Sequence, residues 1–239
     1  MVKRVFLARE LLMVHIHLQD GSFSLFWVAV WWLTTIAITA CAVIWLRNVK
    51  KIDTRMITIA AFCTAAMFVI FQVEIPIAGG VHLSLTPFIG ILTGPAVGAV
   101  IVLIVNILTA AIGHGGWSII GANALVNVVE VLVGWALFYG LKKVVRGTFS
   151  RAAIATFTGL CAGNIAMIGI ILCSGIQGVT QSQAQVLNGL ILIAALNLAV
   201  AVAESVVTGF MVAFIERTRP DILGEKPKNS QPMTKPGVP

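Results

Sequence analysis

The segment LSLTPFIGIL, residues 83–92, decides the fold of this chain, because it sets how many times the chain crosses a membrane. It lies between two long apolar runs, yet it has only about half of the roughly 20 residues that a spanning helix requires. It contains Pro87, and the turn Thr-Gly-Pro at residues 93–95 follows it. Because unpaired backbone groups are costly in hydrocarbon, the segment is either re-entrant or a short helix that other helices shelter.

The composition places the chain in a lipid bilayer. Of its 239 residues, 59% are apolar and only 10% are charged, against roughly 45–50% and about 25% in a soluble domain. Such a chain has too few polar residues for the surface of a soluble enzyme, and it is too apolar to remain disordered. The net charge of +7 would suit a nucleic-acid partner only if the cations formed one basic surface. They fall instead into four clusters separated by long apolar stretches, which excludes that partner and indicates an integral membrane protein.

Six apolar runs have the length of a spanning helix. The first is bordered by aromatic side chains and by Arg47, which is typical of the two membrane interfaces. The last is long enough to tilt or to project beyond the bilayer. The six predicted spans are Phe23–Leu46, Met56–Val73, Pro95–Ile112, Trp117–Leu141, Ala152–Cys173 and Val186–Ile215.

The distribution of positive charge decides whether residues 83–92 cross, since cytoplasmic loops are enriched in Lys and Arg. If they cross, the clusters at 47–55, 142–151 and 217–235, with 13 of the 16 Lys and Arg, share one side. The loops on the other side then contain neither residue type. We therefore predict an all-α polytopic membrane protein, a bundle of seven transmembrane helices with a short third one, the N-terminus outside and the C-terminus cytoplasmic.

The three remaining cations lie within the first nine residues, before a first helix that begins outside. Basic residues hinder translocation at that position. A start at Met13 would remove them, so we expect residues 1–12 to be an upstream extension that the mature protein does not carry. The seven-helix membrane domain then covers residues 13–223, and residues 224–239 form a flexible cytoplasmic tail.

All four histidines fall in outer segments or loops of this topology. They are His15, His17, His82 and His114. Imidazoles with few carboxylates nearby favour a transition metal such as Ni, Co, Cu or Zn over Mg or Ca. A loop histidine is also often a solvated polar residue, so position alone leaves both interpretations open.

Polar residues within the predicted helices share faces. Asn123, Asn127 and Glu130 stand at i, i+4 and i+7, and Asn197 and Glu204 repeat the i, i+7 relation on the last helix. Polar groups inside a membrane are costly and should face the protein interior. They serve either a substrate path or hydrogen bonding between helices.

Five motifs, in order along the chain, resemble the CbiM/NikM family. This family comprises the substrate-binding membrane subunits of nickel and cobalt transporters of the energy-coupling-factor (ECF) type. The motifs are the start with Met13, His15, Ile16, Asp20 and Gly21, the loop IPIAGGVHL (75–83), the turn at 92–95, GHGGWSIIGANALVN (113–127) and AESVVTGFMVAFIERTRPDIL (203–223).

The resemblance implies a metal site at the N-terminus. In the family the mature chain begins Met-His, and its amine, the next amide nitrogen and the imidazole bind the metal together with a loop imidazole. Four nitrogens in a plane suit Ni(II). Carried over, the imidazoles are His15 and His82. The amine belongs to Val14 if the chain is processed there, or to Met13 if that residue is the retained terminus, and His17 is a further candidate.

The resemblance also implies partners. The chain contains no Walker motif, so it is not expected to be an enzyme, and ATP hydrolysis would belong to cytoplasmic ATPase subunits. A transmembrane coupling subunit and a small accessory membrane subunit complete the expected complex. Ala61 and Ala65 are candidates for contact with the coupling subunit, or else they pack within this chain. No resident cofactor is expected, because Ni(II) or Co(II) is the cargo.

An ECF substrate subunit for an organic vitamin is the alternative. Vitamin sites are usually lined by aromatic and hydrogen-bonding side chains, whereas the outer loops here offer imidazoles, Trp117 and no Tyr. An intramembrane metalloenzyme is excluded by the lack of an HExxH or His-rich helical motif. We therefore favour nickel or cobalt uptake in the plasma membrane of a prokaryote.

Overall fold

The computed structural model describes residues 20–50, 53–72, 83–113, 115–177 and 183–223. Within these ranges the chain is all helical and has no strand, as the sequence predicts. The seven α-helices of the described ranges are α1 (Leu25–Trp45), α2 (Thr54–Phe71), α3 (Thr86–Thr93), α4 (Pro95–Ala111), α5 (Ile120–Gly140), α6 (Thr148–Ser174) and α7 (Gln183–Thr218).

Five helical segments of the described chain are long and apolar enough to cross a membrane. They are those that contain α1, α2, α5, α6 and α7, while α4 is a shorter apolar helix of 17 residues. Helix α7 has 36 residues and is thus about 54 Å long. It begins earlier and ends later than predicted and exceeds the roughly 30 Å of a hydrocarbon core.

Residues 83–92 form a sheltered short helix. Helix α3 has eight residues, about 12 Å, and all but Leu92 are buried. Proline stands in the first turn of both α3 and α4, where its missing N–H costs nothing. Gly94 joins the two helices with φ +82°, a value that favours glycine.

Helix α5 lies at the centre and packs against α1, α3, α4 and α6. The Thr35 hydroxyl of α1 donates to the Gly121 carbonyl over 2.6 Å. A Cβ on Gly159 of α6 would lie 3.1 Å from the Glu130 carbonyl oxygen, and one on Gly163 would overlap the Glu130 carboxyl group. Small residues four apart thus allow α5 and α6 to approach closely, as their spacing predicts.

The bundle has two ends, which we name after their acidic residues. The Asp20 end contains residues 20–24, the connection before α5 and the end of α6. The Asp221 end contains the start of α2, the connection after α5 and the turn Pro220–Leu223. At this end Arg55 forms an ion pair with Asp221, and Leu223 is buried against α3.

All Lys and Arg residues of the described ranges lie toward the Asp221 end. They occupy the end of α1, the start of α2, the α5–α6 connection with the first turn of α6, and the end of α7. The described residues of the Asp20 end contain none. The predicted extension at 1–12 and the predicted tail at 224–239 lie outside the described residues.

Candidate functional site

A polar cavity of about 100 Å³ lies between α4, α5, α6 and α7. It is unusual because its walls carry carboxyl and amide groups deep within an apolar bundle. The polar side chains that line it are Ser84, Asn106, Asn123, Asn127, Glu130, Asn164, Asn197 and Glu204. Helical periodicity predicted that the two polar faces of α5 and α7 point inward, and both faces meet at this cavity.

Three of the lining residues carried no clear sequence signal. Asn106 is the lone polar amide of its helix, and its side chain donates to the Val102 carbonyl over 2.7 Å. Asn164 accepts a hydrogen bond of 3.0 Å from the Asn197 amide. Ser84 belongs to the interrupted segment before α3, whose position the sequence left open.

Glu204 of α7 holds the start of α3 in place. Its carboxyl group is 1% exposed and accepts hydrogen bonds from the Ser84 N–H at 2.9 Å and the Leu85 N–H at 2.8 Å. The Ser84 hydroxyl also donates to it over 3.0 Å. Residues 83–85 are not helical, so these bonds replace the backbone partners that a continuous helix would provide.

Glu130 contacts the same segment from the opposite side. The Thr86 hydroxyl is hydrogen-bonded to the Glu130 carboxyl group, and the Ser84 and Thr86 hydroxyl oxygens lie 2.9 Å apart. A line of four groups, Glu204, Ser84, Thr86 and Glu130, therefore spans from α7 to α5. We call this line the hydroxyl bridge.

Leu85 adopts a backbone conformation that is rare for its residue type. Its φ of +55° makes it the one positive-φ residue other than glycine in the described ranges. The left-handed conformation costs a residue with a Cβ about 1–2 kcal/mol. Such a conformation persists only where surrounding contacts enforce it, and the Glu204 carboxyl group supplies one of these contacts directly.

The polar lining continues toward the Asp20 end. A second void of about 10 Å³ is lined by Gly115 and Gly116 and shares Phe71, Asn106 and Asn123 with the cavity. Its volume is about the minimum that admits a single water molecule. The residues that the two voids share extend the polar lining from the hydroxyl bridge to the connection that precedes α5.

Asp20 fixes the residues that lead into α1. Its carboxylate accepts hydrogen bonds from the Ser118 hydroxyl and the Ser118 N–H, each 2.7 Å long. These bonds, first that from the hydroxyl, lower the pKa of Asp20. The Ser22 carbonyl accepts a further bond of 2.8 Å from the Gln177 N–H. The segment that follows the histidines of HIHLQDG is therefore hydrogen-bonded both to the connection before α5 and to the residues that follow α6.

The predicted metal ligands lie outside the described residues. This holds for His15, His17, His82 and His114, and for the two candidate termini Met13 and Val14. In the part of the chain that the structure describes, no group of three or more His, Cys, Asp or Glu residues could hold a metal ion.

Ala61 and Ala65 are exposed on α2. Ala61 lines an apolar groove of about 680 Å³ between α1, α2 and α4. Thr64 and Arg47 line the same groove, the latter near its Asp221 end. Helix α2 packs mainly against α4 and α3, and the groove beside Ala61 is not filled by a described helix.

A family model described as the cobalt uptake substrate-specific transmembrane region, CbiM, matches residues 17–222. The match spans the docked Asp20 segment, the hydroxyl bridge and the cavity. The chain belongs to the CbiM family. Membership confirms the resemblance that the five motifs indicate, and with the five long apolar helices it makes the chain a multi-pass membrane protein.

Individual CbiM relatives are distant in sequence. The chain is 26% identical over 216 residues to a cobalt transport protein CbiM of Geobacter sulfurreducens, covering 87% of this chain and 62% of that protein. It is 26% identical to a putative cobalt transport protein CbiM of Methanocorpusculum labreanum, with 87% and 91% covered. A putative fused nickel transport protein NikMN of Archaeoglobus fulgidus is also 26% identical, with 88% and 68% covered.

Solved structures share the fold. A crystal structure of a truncated transition metal transporter superimposes with a TM-score of 0.70 at 20% identity, covering 84% of this chain and 99% of that one. A second transition metal transporter gives a TM-score of 0.69 at 19% identity, with 84% and 93% covered. These structures thus share the helical arrangement of this chain at low sequence identity.

Replacing Asp20 by Ala should release the start of α1 from the connection before α5. Because the folded pKa of Asp20 is lowered, the interaction is present above the ordinary pKa of about 3.9 and is lost as the pH falls further. Hydrogen exchange at residues 20–24 and 117–120 should be at least about fivefold faster at pH 7 in the variant.

Asp53→Ala is the matched control, because Asp53 caps α2 through the Met56 N–H, 2.8 Å away, near the Asp221 end. It should speed exchange only at the start of α2. Equal exchange at residues 117–120 in Asp20→Ala and the unaltered chain would show that Asp20 does not fix this end.

Proposed function

We propose that this CbiM-family chain is the substrate-specificity component of an ECF-type importer that captures Ni(II) or Co(II) on the outer face for ATP-driven uptake. The observation that carries the proposal is the polar cavity. Its lining includes Ser84, two residues after His82, and it shares lining residues with a void bordered by Gly115, the residue after His114. The names of the bacterial and archaeal relatives, which specify cobalt or nickel transport, point to the same cargo.

The orientation follows from charge. The described Lys and Arg residues lie toward the Asp221 end, and membrane proteins retain such residues in the cytoplasm. In our proposal the Asp20 end, with its histidine motifs, is therefore outside, and the C-terminus is cytoplasmic.

The metal site is proposed at the outer end of the cavity. Ser84 follows His82 by two residues, so their Cα atoms can be at most about 7 Å apart. Gly115, which lines the smaller void, follows His114 directly, and Asp20 lies five residues after His15. Since His17 lies three residues before Asp20, short chain segments tie all four histidines to one end of the bundle.

The proposed ligands are the imidazoles of His15 and His82, with nitrogens of the N-terminal segment. A chain that begins at Val14 supplies an amine and an amide next to His15, which make four nitrogens with the two imidazoles. A chain that begins at Met13 supplies an amine and two amides, which fill the plane with His15 and without His82. His17 is a lower-ranked candidate. Nitrogen donors in a plane suit Ni(II), and Co(II) accepts the same donors.

The size of the cavity favours an ion over an organic vitamin. In the described chain its volume is about 100 Å³, whereas pockets for small organic ligands usually measure about 300–1,000 Å³. Amide and carboxyl oxygens also suit a hydrated or partly dehydrated cation better than an aromatic ring. The vitamin hypothesis therefore lacks support from the described helices.

Transport energy is proposed to come from partners, namely a transmembrane coupling subunit, a cytoplasmic ATPase pair and a small accessory membrane subunit. The groove beside Ala61 supports such a contact. Small side chains on an exposed helical face let a second helix approach closely, and the groove is otherwise lined mainly by apolar residues of α1, α2 and α4.

Calorimetric titration of the purified chain beginning at Val14 with NiCl₂ or CoCl₂ should show tight binding of one metal ion. His15→Ala and His82→Ala should each weaken metal binding by about 100-fold or more, because each variant lacks one imidazole ligand of the metal ion. The nickel complex should display the absorption bands of square-planar Ni(II).

His114→Ala is the control and should bind within about threefold of the unaltered chain. Binding of a vitamin without either metal would contradict the proposal. If a chain that begins at Met1 binds the metal as tightly as the chain that begins at Val14, the terminal amine is not a ligand. The site would then be a cluster of imidazoles.

Ala61→Leu and Ala65→Leu should reduce copurification of the coupling subunit by about tenfold, since a larger side chain blocks close helix approach. Metal binding by the isolated chain should be unchanged. Ala66→Leu, on the margin of the same exposed face, is the matched control. Equal copurification in all three variants would place the partner contact elsewhere.

A further inference from the structure

The two carboxyl groups of the hydroxyl bridge have different hydrogen-bond partners. One oxygen of Glu204, Oε2, accepts the Ser84 N–H, and the other, Oε1, accepts the Leu85 N–H and the Ser84 hydroxyl. Glu130 instead meets the Thr86 hydroxyl. Backbone N–H groups can only donate, whereas a hydroxyl can donate or accept. The environment of Glu204 therefore demands an acceptor on both oxygens, and that of Glu130 does not.

Counting hydrogens shows that the pair of carboxyl groups carries one proton. The bridge contains three oxygen-to-oxygen contacts, from Glu204 to Ser84, from Ser84 to Thr86 and from Thr86 to Glu130. Each contact needs one hydrogen, and the two hydroxyls supply two. A carboxyl group must supply the third. A neutral carboxyl group could also accept at both oxygens, but a carboxylate is the stronger acceptor for the two backbone N–H groups that meet Glu204. The proton therefore belongs on Glu130, and every hydroxyl then donates toward Glu204.

We propose that ionised Glu204 is the positioning residue of the metal site and that protonated Glu130 completes its hydrogen-bond chain. Glu204 fixes the backbone at Ser84 and Leu85, two and three residues after His82 in the sequence. The inference rests on the proposed function, because the role of His82 as a ligand belongs to that proposal.

The conformation of Leu85 explains why an anchor is required. At φ +55° the residue is held against its own preference. Its carbonyl accepts the first helical bond of α3, from the Ile89 N–H at 3.0 Å, but the N–H groups of Ser84 and Leu85 bond to Glu204 and not to a helix. Once the acceptor is lost, Leu85 can return to a negative φ and redirect the chain that precedes it. A loop imidazole must keep its position within a fraction of an ångström to bind a metal well.

The test compares two isosteric variants, Glu204→Gln and Glu130→Gln. In Glu204→Gln, the amide NH₂ group would face a backbone N–H that also donates. Both donors would then be buried without an acceptor. A glutamine amide at position 130 can donate to Thr86 as the protonated carboxyl group does. Both residues are buried and line the same cavity, so each variant controls for the other.

Three measurements are made on each variant: titration with NiCl₂, thermal unfolding in detergent and hydrogen exchange at residues 83–88. All variants begin at the N-terminus whose unaltered chain binds nickel. Glu204→Gln should weaken Ni(II) binding about tenfold or more and speed exchange at these residues, while it still unfolds cooperatively. Glu130→Gln should bind within about threefold and exchange as the unaltered chain does.

Three other outcomes are possible, and each refutes a different part of the proposal. Folded Glu204→Gln that binds nickel as tightly as the unaltered chain refutes the positioning role alone. Equal losses in the two variants refute the assignment of the proton to Glu130. An unaltered chain that binds neither Ni(II) nor Co(II) refutes the proposed function itself.

If Glu204→Gln does not fold, Ser84→Ala takes its place. This variant removes one of the three donors to Glu204 and leaves both backbone bonds intact. It should fold and bind Ni(II) at least about tenfold more weakly, and an affinity within about threefold of the unaltered chain would refute the positioning role.

Discussion

The contact of a carboxylate on α7 with the backbone before α3 is the interaction on which the rest of the structure depends. A chain that stops being helical inside a membrane exposes N–H groups that neither water nor lipid can satisfy. Glu204 accepts two of them, from Ser84 and Leu85, and thereby permits a helix of eight residues to begin in the middle of the bundle. Because α3 is short, it leaves space on its Asp20 side, and the polar cavity lies in that space.

Close helix packing and a polar interior depend on each other around this contact. Gly163 allows α6 to lie against the Glu130 carboxyl group, and the Asn164 to Asn197 bond joins α6 to α7 across the cavity. The bundle is therefore apolar toward lipid and hydrogen-bonded toward its centre, as buried polar groups require. In the proposed function, a small cation binds on the Asp20 side of these walls and a partner helix packs on the exposed face of α2.

Sequence patterns predicted the all-helical fold, the family and the inward direction of Asn123, Asn127, Glu130 and Glu204, because membrane length and helical periodicity restrict these features strongly. They did not predict the hydroxyl bridge. Serine and threonine usually bond within their own helix, so nothing local reveals that Ser84 and Thr86 connect two helices that lie 44 and 120 residues away. The role of Asp20 as a partner of Ser118 was missed for the same reason.

In the proposed function, the interrupted segment before α3 delivers a metal ligand to the outer end of the cavity. Anomalous diffraction at the nickel absorption edge, from crystals of the nickel-saturated protein, tests it most directly. One strong peak should lie on the Asp20 side of Ser84, next to the smaller void beside Gly115 and Gly116. A peak at the Asp221 end, or none within the bundle, would contradict the claim.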